Sequence, residues 1–351
     1  MRKLKIGYWP LSPNLQSAGD RRRIVFWARA RGHEIITDLS QRVDVIIASE
    51  KTDFKSLIFS KRKSPLIFDL IDAYLSPLNL FDDLARGVAK KISGQISGEV
   101  KPFSKHVKDF CLEADAVICS SIEQEKMIIP YNQNTHVILD SHDEIPFLKP
   151  LHPNQMKARE FRILWEGQPA TIRGVRQISS ALAHLATTND LHINFVTDQN
   201  YFQFLGTHFE RNTLALLSRD LREVHDKISI IPWNPINLVE TARNSTVAMI
   251  PIDLSVPMQR LKPENRLLIM WRLGLPCLCS ASPAYIRVSD VAGVSSTCED
   301  EEVWNIRFSK LFNDPVFAFE EIVRGQSYLY EYHNRSVLLD KWDRVVESVM
   351  G

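Results

Sequence analysis

The chain has 351 residues, of which 44% are apolar and 24% are charged, and its formal net charge is +1. This length suits two domains with separate hydrophobic cores, and the composition is not that of a disordered chain. The small net charge argues against a general nucleic-acid-binding protein, so any basic surface must be local.

The cysteines and the N-terminus indicate the compartment. The cysteines number five, and Cys119, Cys277 and Cys279 lie in apolar runs, which favours reduced thiols and no metal site. The first residues lack the apolar stretch of a signal peptide, and no run has the length of a membrane span. We therefore expect a cytoplasmic protein that is soluble or peripheral to a membrane.

Short apolar runs alternate with helical stretches along both halves of the chain. The runs lie at 4–8, 43–48, 66–70, 116–120 and 137–139, and then at 162–165, 193–196, 228–231, 247–250 and 276–279. They are continuous, which is typical of strands covered on both faces, and strands interleaved with helices form parallel sheets. The pattern predicts an α/β protein with two Rossmann-like, doubly wound domains.

The pattern breaks near 147–161, where prolines and polar residues show no clear period. We predict a first domain over 1–150, a linker at 151–161, a second domain over 162–325 and a helical segment over 326–351. Domains of this kind bind ligands at the carboxyl ends of their strands.

One helix start carries a concentration of positive charge. Pro263 suits the first helical position, because its missing N–H has no intrahelical partner there. The first turn presents free N–H groups and the positive end of the helix dipole, and Lys262 and Arg266 add full charges. The pattern fits a diphosphate site and equally an ordinary amphipathic helix with a good N-terminus.

Five stretches of the sequence resemble one family in their order and spacing. They are a glycine-containing loop and helix at 17–35, a helix–strand stretch at 113–121, a strand and glycine at 163–167, the segment 262–280 with Asn265-Arg266 and Gly274-Leu275-Pro276, and a last helix with Trp342. Together they resemble the GT-B glycosyltransferases, specifically the large nucleotide-sugar-dependent group related to retaining hexosyltransferases (glycosyltransferase family 4-like). The resemblance implies two Rossmann-like domains facing a central cleft. The first would bind the acceptor, the second the donor, and the last helix would cross back to the first.

The resemblance also implies an activity. It implies a hexosyltransferase that moves a sugar from a nucleotide diphosphate sugar to a saccharide or lipid-linked acceptor, with retention of configuration, in surface polysaccharide biosynthesis. In this fold, cations and a helix dipole stabilise the departing diphosphate in place of a divalent metal. We therefore expect no metal and no other cofactor, and the Asp-x-Asp metal signature of the other major glycosyltransferase fold is absent from the sequence.

The expected donor-side residues follow from the resemblance and from the charges. Lys262 is the expected contact of the diphosphate and a catalytic candidate, with Arg266 or Arg173 as the second cation. Arg173 lies in a loop that neighbours the donor phosphates in the family, and a solvated loop cation is the alternative. The expected donor-binding residues are Gly167, Arg173, Lys262, Glu264, Asn265 and Arg266.

The sequence departs from the family at the residues that bind the donor ribose. The family places a glutamate five residues before Gly274, and this chain has Ile269 there, while Leu261 replaces the paired upstream glutamate. Glu264 either substitutes for them or only serves the helix dipole. The departure leaves room for a catalytically degenerate accessory subunit, and a sugar-nucleotide epimerase is a weaker third reading.

On the acceptor side, Asp72 is the catalytic candidate, because it lies just past a predicted strand end where an acceptor hydroxyl can bind. Asp69, inside the apolar run, is expected to be a structural carboxylate bonded to the backbone. Gly19 permits a close backbone approach to a phosphate or sugar. Consecutive arginines cannot share one helix face, so at most one or two of the three that follow serve the cleft. The expected acceptor-binding residues are Gly19, Arg21, Asp72 and His142, with a loop histidine of no function as the alternative for the last.

Residues 86–108 form a basic segment with six lysines or arginines against one glutamate. In the family, basic and apolar surfaces of the acceptor domain rest on anionic membranes beside lipid-linked acceptors. The segment is therefore either a membrane contact or a solvated loop, and nucleic acid is not an expected partner.

Overall fold

The structure is a computed structural model that describes residues 2–53, 63–156, 160–202 and 210–351. The chain divides into two compact units. The first comprises Met1–Asp143, Leu261–Pro263 and Asn334–Gly351, and the second comprises Glu144–Arg260 and Glu264–His333. Leu261–Pro263, which the predicted second domain contains, thus pack with the first unit. The predicted linker at 151–161 contains a short helix at Pro153–Met156, and residues 157–159 lie outside the described residues.

A six-stranded parallel sheet forms the centre of the first unit, with the order β2-β1-β3-β4-β5-β6. Its strands are β1 (Lys5–Trp9), β2 (Glu34–Ile36), β3 (Val45–Ser49), β4 (Leu66–Leu70), β5 (Ala116–Cys119) and β6 (Thr135–Val137). The strands β3, β4 and β5 are buried along their whole length, which explains their continuous apolar sequences. The chain reverses its direction of winding between β1 and β3, and such a switch point is where parallel sheets bind ligands.

Helices cover both faces of this sheet. They are α1 (Ala18–Arg21), α2 (Ile24–Arg31), α3 (Leu80–Ile92), α4 (Phe103–Glu113), α5 (Ile122–Ile128) and the C-terminal helix (Arg335–Met350). Trp342 of the C-terminal helix is buried and stacks on Trp27, with 5.6 Å between the ring centroids. The indole N–H of Trp27 donates to Asp343 at 2.7 Å. The C-terminal helix therefore completes the core of the first unit.

The second unit contains another six-stranded parallel sheet, with the order β11-β8-β7-β12-β13-β14. Its strands are β7 (Phe161–Glu166), β8 (Leu191–Val196), β11 (Ile228–Ile231), β12 (Val247–Ile250), β13 (Cys277–Ser280) and β14 (Thr297–Cys298), and a separate antiparallel pair is formed by β9 (Asn200–Phe202) and β10 (Glu210–Asn212). The switch point of this sheet lies between β7 and β12. The predicted class of two doubly wound parallel sheets is confirmed.

The second unit also holds the remaining helices. They are α6 (Pro153–Met156), α7 (Ser179–Thr188), α8 (Thr213–Asp220), α9 (Pro235–Arg243), α10 (Pro257–Arg260), α11 (Asn265–Arg272), α12 (Pro283–Ala292), α13 (Glu301–Asn313) and α14 (Pro315–Tyr332), with 3-10 segments at Pro169–Ile178 and Arg222–Lys227. Among the helices of the described residues, none combines the length and the apolar character needed to span a bilayer.

Candidate functional site

The carboxyl end of β7 lies at the switch point of the second sheet and carries a buried carboxylate. Glu166 is only 6% exposed, and its Oε1 accepts a hydrogen bond from the indole N–H of Trp233 at 2.8 Å. No described residue donates a hydrogen bond to its Oε2. Burial of a charged oxygen without a donor is costly, so this strand end is a candidate site.

Arg266 reaches the same strand end from the first turn of α11. Its guanidinium carbon lies 4.8 Å from the ring centroid of Trp165, and its Nη2 donates to the carbonyl oxygen of Glu166. Its Nε lies 3.7 Å from Oε2 of Glu166. Gly167 leaves space for the cation, since a Cβ at that position would lie 3.1 Å from the guanidinium carbon. The structure therefore brings together Gly167 and Arg266, two of the predicted donor-side residues.

Arg173 lies in the 3-10 segment that follows β7, and it is exposed. The neighbouring Gly174 packs on the carboxyl end of β12, because a Cβ there would lie 2.3 Å from the carbonyl oxygen of Pro251. The segment thus runs from one strand of the switch point to the other. Arg173, a second predicted donor-side cation, directly precedes Gly174 in this segment.

The start of α11 differs from the prediction. Asn265 is the first helical residue, and the carbonyl of Glu264 accepts the first intrahelical bond, so the expectation that Pro263 opens the helix is wrong. Glu264 is 3% exposed and lies 3.2 Å from a guanidinium nitrogen of Arg287. Its negative charge offsets the positive end of the helix dipole. The positive charge of this site therefore comes mainly from side chains.

Lys262 and Asp72, the two predicted catalytic residues, face each other within the first unit. Lys262 Nζ lies 3.5 Å from Asp72 Oδ1, and the two side chains are 38% and 36% exposed. The hydroxyl of Ser121 donates to the carbonyl oxygen of Leu261 at 3.1 Å, which holds this segment on the first unit. Lys262, expected on the donor side, thus packs in the unit predicted to bind the acceptor.

A second carboxylate, Glu50, lies beside Asp72 and was missed by the sequence reasoning. The backbone N–H of Asp72 donates to Glu50 Oε2 at 3.0 Å, and the two residues follow the neighbouring strands β3 and β4. Burial and the negative charge of Asp72 raise the pKa of Glu50 to about 8, and Lys90 partly offsets this. Glu50 therefore keeps its proton to a higher pH than an ordinary carboxyl group does. Its signal in the sequence is an acid directly after a buried apolar run.

The other predicted acceptor-side residues, Gly19, Arg21 and His142, contact or pack against other parts of the protein. A Cβ on Gly19 would lie 2.4 Å from Leu11 Cδ1, so side-chain packing accounts for this glycine without a ligand. Arg21 Nε donates to the carbonyl of Gln16 at 2.9 Å, and His142 is buried.

Two further carboxylates of the first unit are structural. Asp20, which no prediction named, accepts hydrogen bonds from Tyr8, from Ser17 and from two loop residues, and these bonds fix the segment after β1. Its pKa is lowered because these bonds outweigh its burial. Asp69 is structural as expected, but its partner is the guanidinium of Arg23 and not the backbone.

The described residues bring together no group of three or more His, Cys, Asp or Glu side chains that could hold a metal ion. The expectation of metal independence remains a prediction, because the activity has to be measured with and without metal.

No family model and no curated protein matches the sequence, whereas solved structures do. HepE from Anabaena, solved in complex with UDP and glucose, matches with a TM-score of 0.67 at 11% identity, over 99% of this chain and 100% of HepE. WaaG, a glycosyltransferase involved in lipopolysaccharide biosynthesis, matches with a TM-score of 0.59 at 11% identity, over 99% of both chains. TarM matches with a TM-score of 0.62 at 10% identity over 86% of this chain, which spans only 54% of TarM. The prediction of a GT-B glycosyltransferase fold is confirmed, and at these identities the likeness shows the fold alone.

Proposed function

We propose that the protein is a hexosyltransferase that moves a sugar from a nucleotide diphosphate sugar to a saccharide or lipid-linked acceptor, in surface polysaccharide biosynthesis. The observation that carries this proposal is the position of Arg266, which lies beside Gly167 at the switch point of the second sheet. A guanidinium forms strong charge-assisted hydrogen bonds with phosphate oxygens. The UDP bound to HepE favours UDP as the nucleotide.

The proposed reaction breaks the bond between the anomeric carbon of the sugar and the diphosphate oxygen. The electron pair remains on that oxygen, where Arg266 and Arg173 stabilise the developing charge without a metal ion. The acceptor hydroxyl oxygen bonds to the anomeric carbon on the face from which the diphosphate leaves, and its proton passes to the carboxylate of Asp72. Lys262, which pairs with Asp72, holds that carboxylate in place. Retention of the anomeric configuration is part of the proposal and rests on the resemblance.

Thermal shift with nucleotides tests the donor site. UDP, GDP, CDP and TDP and their common sugars are added without and with magnesium, since a ligand that binds only the folded protein must stabilise it. We expect one nucleotide to raise the melting temperature without magnesium and Arg266→Ala to abolish the shift. Arg176→Ala is the matched control, because Arg176 is exposed in the same 3-10 segment as Arg173.

The alternative function is a GT-B-like accessory subunit that binds no donor. It is favoured by the burial of Ile269 and by the pairing of Glu264 with Arg287, which leave the expected ribose positions without an available carboxylate. If no nucleotide shifts the melting temperature of the native protein, the donor site is refuted and the accessory function replaces it.

We also propose that the first unit rests on an anionic membrane. Leu80, Phe81 and Ile92 of α3 are 73%, 79% and 68% exposed, and Leu84 and Val88 continue the same helix face at intervals of four residues. This apolar face is typical of an interfacial helix.

Fewer positive charges of the basic segment 86–108 are available to a membrane than the sequence predicts. Lys90 packs over aromatic rings and Lys101 pairs with Asp109, while Lys91 and Lys105 are exposed. The apolar face, together with these two cations, therefore supports the membrane contact more than the net charge does.

Liposome co-sedimentation tests this contact. We expect binding to vesicles that contain anionic lipid at low salt, and loss of binding in the double variant Phe81→Ser and Ile92→Ser. Ile306→Ser is the control, because Ile306 is 60% exposed on α13 in the other unit. If the native protein does not bind such vesicles, the membrane proposal is wrong.

A further inference from the structure

The side chains of Glu166, which is buried, and Arg266, which is partly buried, form an ion pair that stops short of a hydrogen bond. Arg266 Nε and Glu166 Oε2 are 3.7 Å apart, and neither atom has a hydrogen-bond partner among the described residues. Glu166 Oε1 is fixed by the indole N–H of Trp233 at 2.8 Å. Burial of two charged groups in this geometry costs free energy, and a functional role explains why the site retains them.

The guanidinium of Arg266 is held on several sides. The ring of Trp165 lies against one face, the carbonyl oxygen of Glu166 accepts from Nη2, and the carboxylate of Glu166 faces Nε. For Nη1 the described part of the chain supplies no acceptor. A guanidinium fixed in this way loses little conformational freedom when an anion binds to its remaining N–H groups.

We propose that Glu166 is a positioning residue that orients the Arg266 guanidinium toward the diphosphate of the nucleotide sugar. Trp233 in turn fixes the carboxylate of Glu166. The proposal rests on the proposed function, since it requires a diphosphate at Arg266. In this proposal Glu166 strengthens the binding of an anion, although the negative charge of its carboxylate would by itself weaken it.

The variant Glu166→Gln separates positioning from a mere neighbouring charge. Glutamine keeps the size of the side chain and an oxygen for Trp233, but it removes the negative charge. A carboxylate without a positioning role would repel the diphosphate, so its removal would tighten UDP binding. Positioning predicts the opposite result, a loss of UDP affinity of about tenfold, with uridine binding unchanged.

Calorimetric titrations with UDP and uridine measure this effect on native protein and on Glu166→Gln, Arg266→Ala and the double variant. We expect Glu166→Gln to weaken UDP binding only when Arg266 is present. Glu240→Gln, an exposed residue of α9, is the charge-matched control. Trp233→Phe removes the donor to Oε1 and should weaken UDP binding in the same direction, which provides a second test if Glu166→Gln folds poorly.

The outcomes distinguish the two proposals. If Arg266→Ala leaves UDP binding unchanged, the proposed diphosphate site fails. If Arg266→Ala weakens UDP binding while Glu166→Gln tightens it or leaves it unchanged, the donor site stands and the positioning role of Glu166 is wrong. If Glu166→Gln weakens UDP and uridine equally, the residue supports the fold of the site and does not orient the cation.

Discussion

The ion pair between Arg23 and Asp69 lies in the core of the first unit and permits a quantitative prediction. The two side chains are 0% and 2% exposed. Arg23 donates to Asp69 from Nε at 2.9 Å and from Nη2 at 2.6 Å, and Nη1 donates to the carbonyl oxygen of Ile138 at 2.7 Å. Asp140 adds a weaker contact at 3.3 Å. Since removal of one partner leaves a buried charge uncompensated, breaking such a pair costs about 3–5 kcal/mol.

We expect Asp69→Asn to lower the free energy of unfolding by about 3 kcal/mol. This is the lower end of the range, because Asp140 still faces the guanidinium of Arg23. Arg23→Met should lose about 4 to 5 kcal/mol, because the carboxylate of Asp69 and the carbonyl of Ile138 both lose their donor. The free energy lost in the double variant Arg23→Met and Asp69→Asn should be less than the sum of the single changes, since this variant leaves no unpaired charge of this pair.

Urea unfolding followed by tryptophan fluorescence measures these free energies, because Trp27 and Trp342 both lie in the core of the first unit. Arg31→Ala is the control. The Arg31 side chain is 32% exposed, its partner Asp340 is exposed, and its other partner Asp343 keeps the hydrogen bond from Trp27, so the loss should be about 1 kcal/mol or less. Single variants that lose under about 1 kcal/mol, or losses that add in the double variant, would refute the assigned role of the pair.

Three further changes are expected to alter stability. Gly174→Ala should lose about 1–3 kcal/mol in urea unfolding, because its Cβ would lie 2.3 Å from the carbonyl oxygen of Pro251, and an unchanged midpoint would contradict this packing. Trp342→Ala should lower the free energy of unfolding by about 3–5 kcal/mol and lower the melting temperature, because it leaves a cavity at a buried position. The raised pKa of Glu50, about 8, means that the folded state holds a proton that the unfolded chain releases above the ordinary value of 4.5. Stability should therefore fall as the pH rises between these values, and a series of unfolding curves should show that Glu50→Gln removes this dependence.

The strands of the sheets could be predicted from the sequence where they are buried on both faces. The runs at 66–70 and 247–250 correspond to β4 and β12, because a central parallel strand needs apolar residues on both sides. The edge strand β11 coincides with the run at 228–231, whereas the edge strands β2 and β14 correspond to no predicted run. The run at 137–139 overlaps β6 (Thr135–Val137) by one residue, since this strand is half-buried and its sequence Thr-His-Val is not a continuous apolar run.

The candidate site could be predicted only in part. The acid after a buried strand singled out Asp72, and the same criterion applies to Glu50 after β3 and to Glu166 at the end of β7. The proximity of Arg266 to Glu166 could not be predicted, because it depends on the packing of residues 100 positions apart. The pairing of Lys262 with Asp72 depends in the same way on tertiary structure.

The source of the positive charge is the main point on which the structure changes the interpretation of the site. The sequence pattern assigned much of it to the helix dipole at the start of α11, but the buried carboxylate of Glu264 occupies that position and pairs with Arg287. A helix end contributes the equivalent of about half a charge, which one carboxylate within the first turn offsets. We therefore expect diphosphate binding at this site to depend on the guanidinium groups of Arg266 and Arg173, and the fixed orientation of Arg266 to matter more than the helix that carries it.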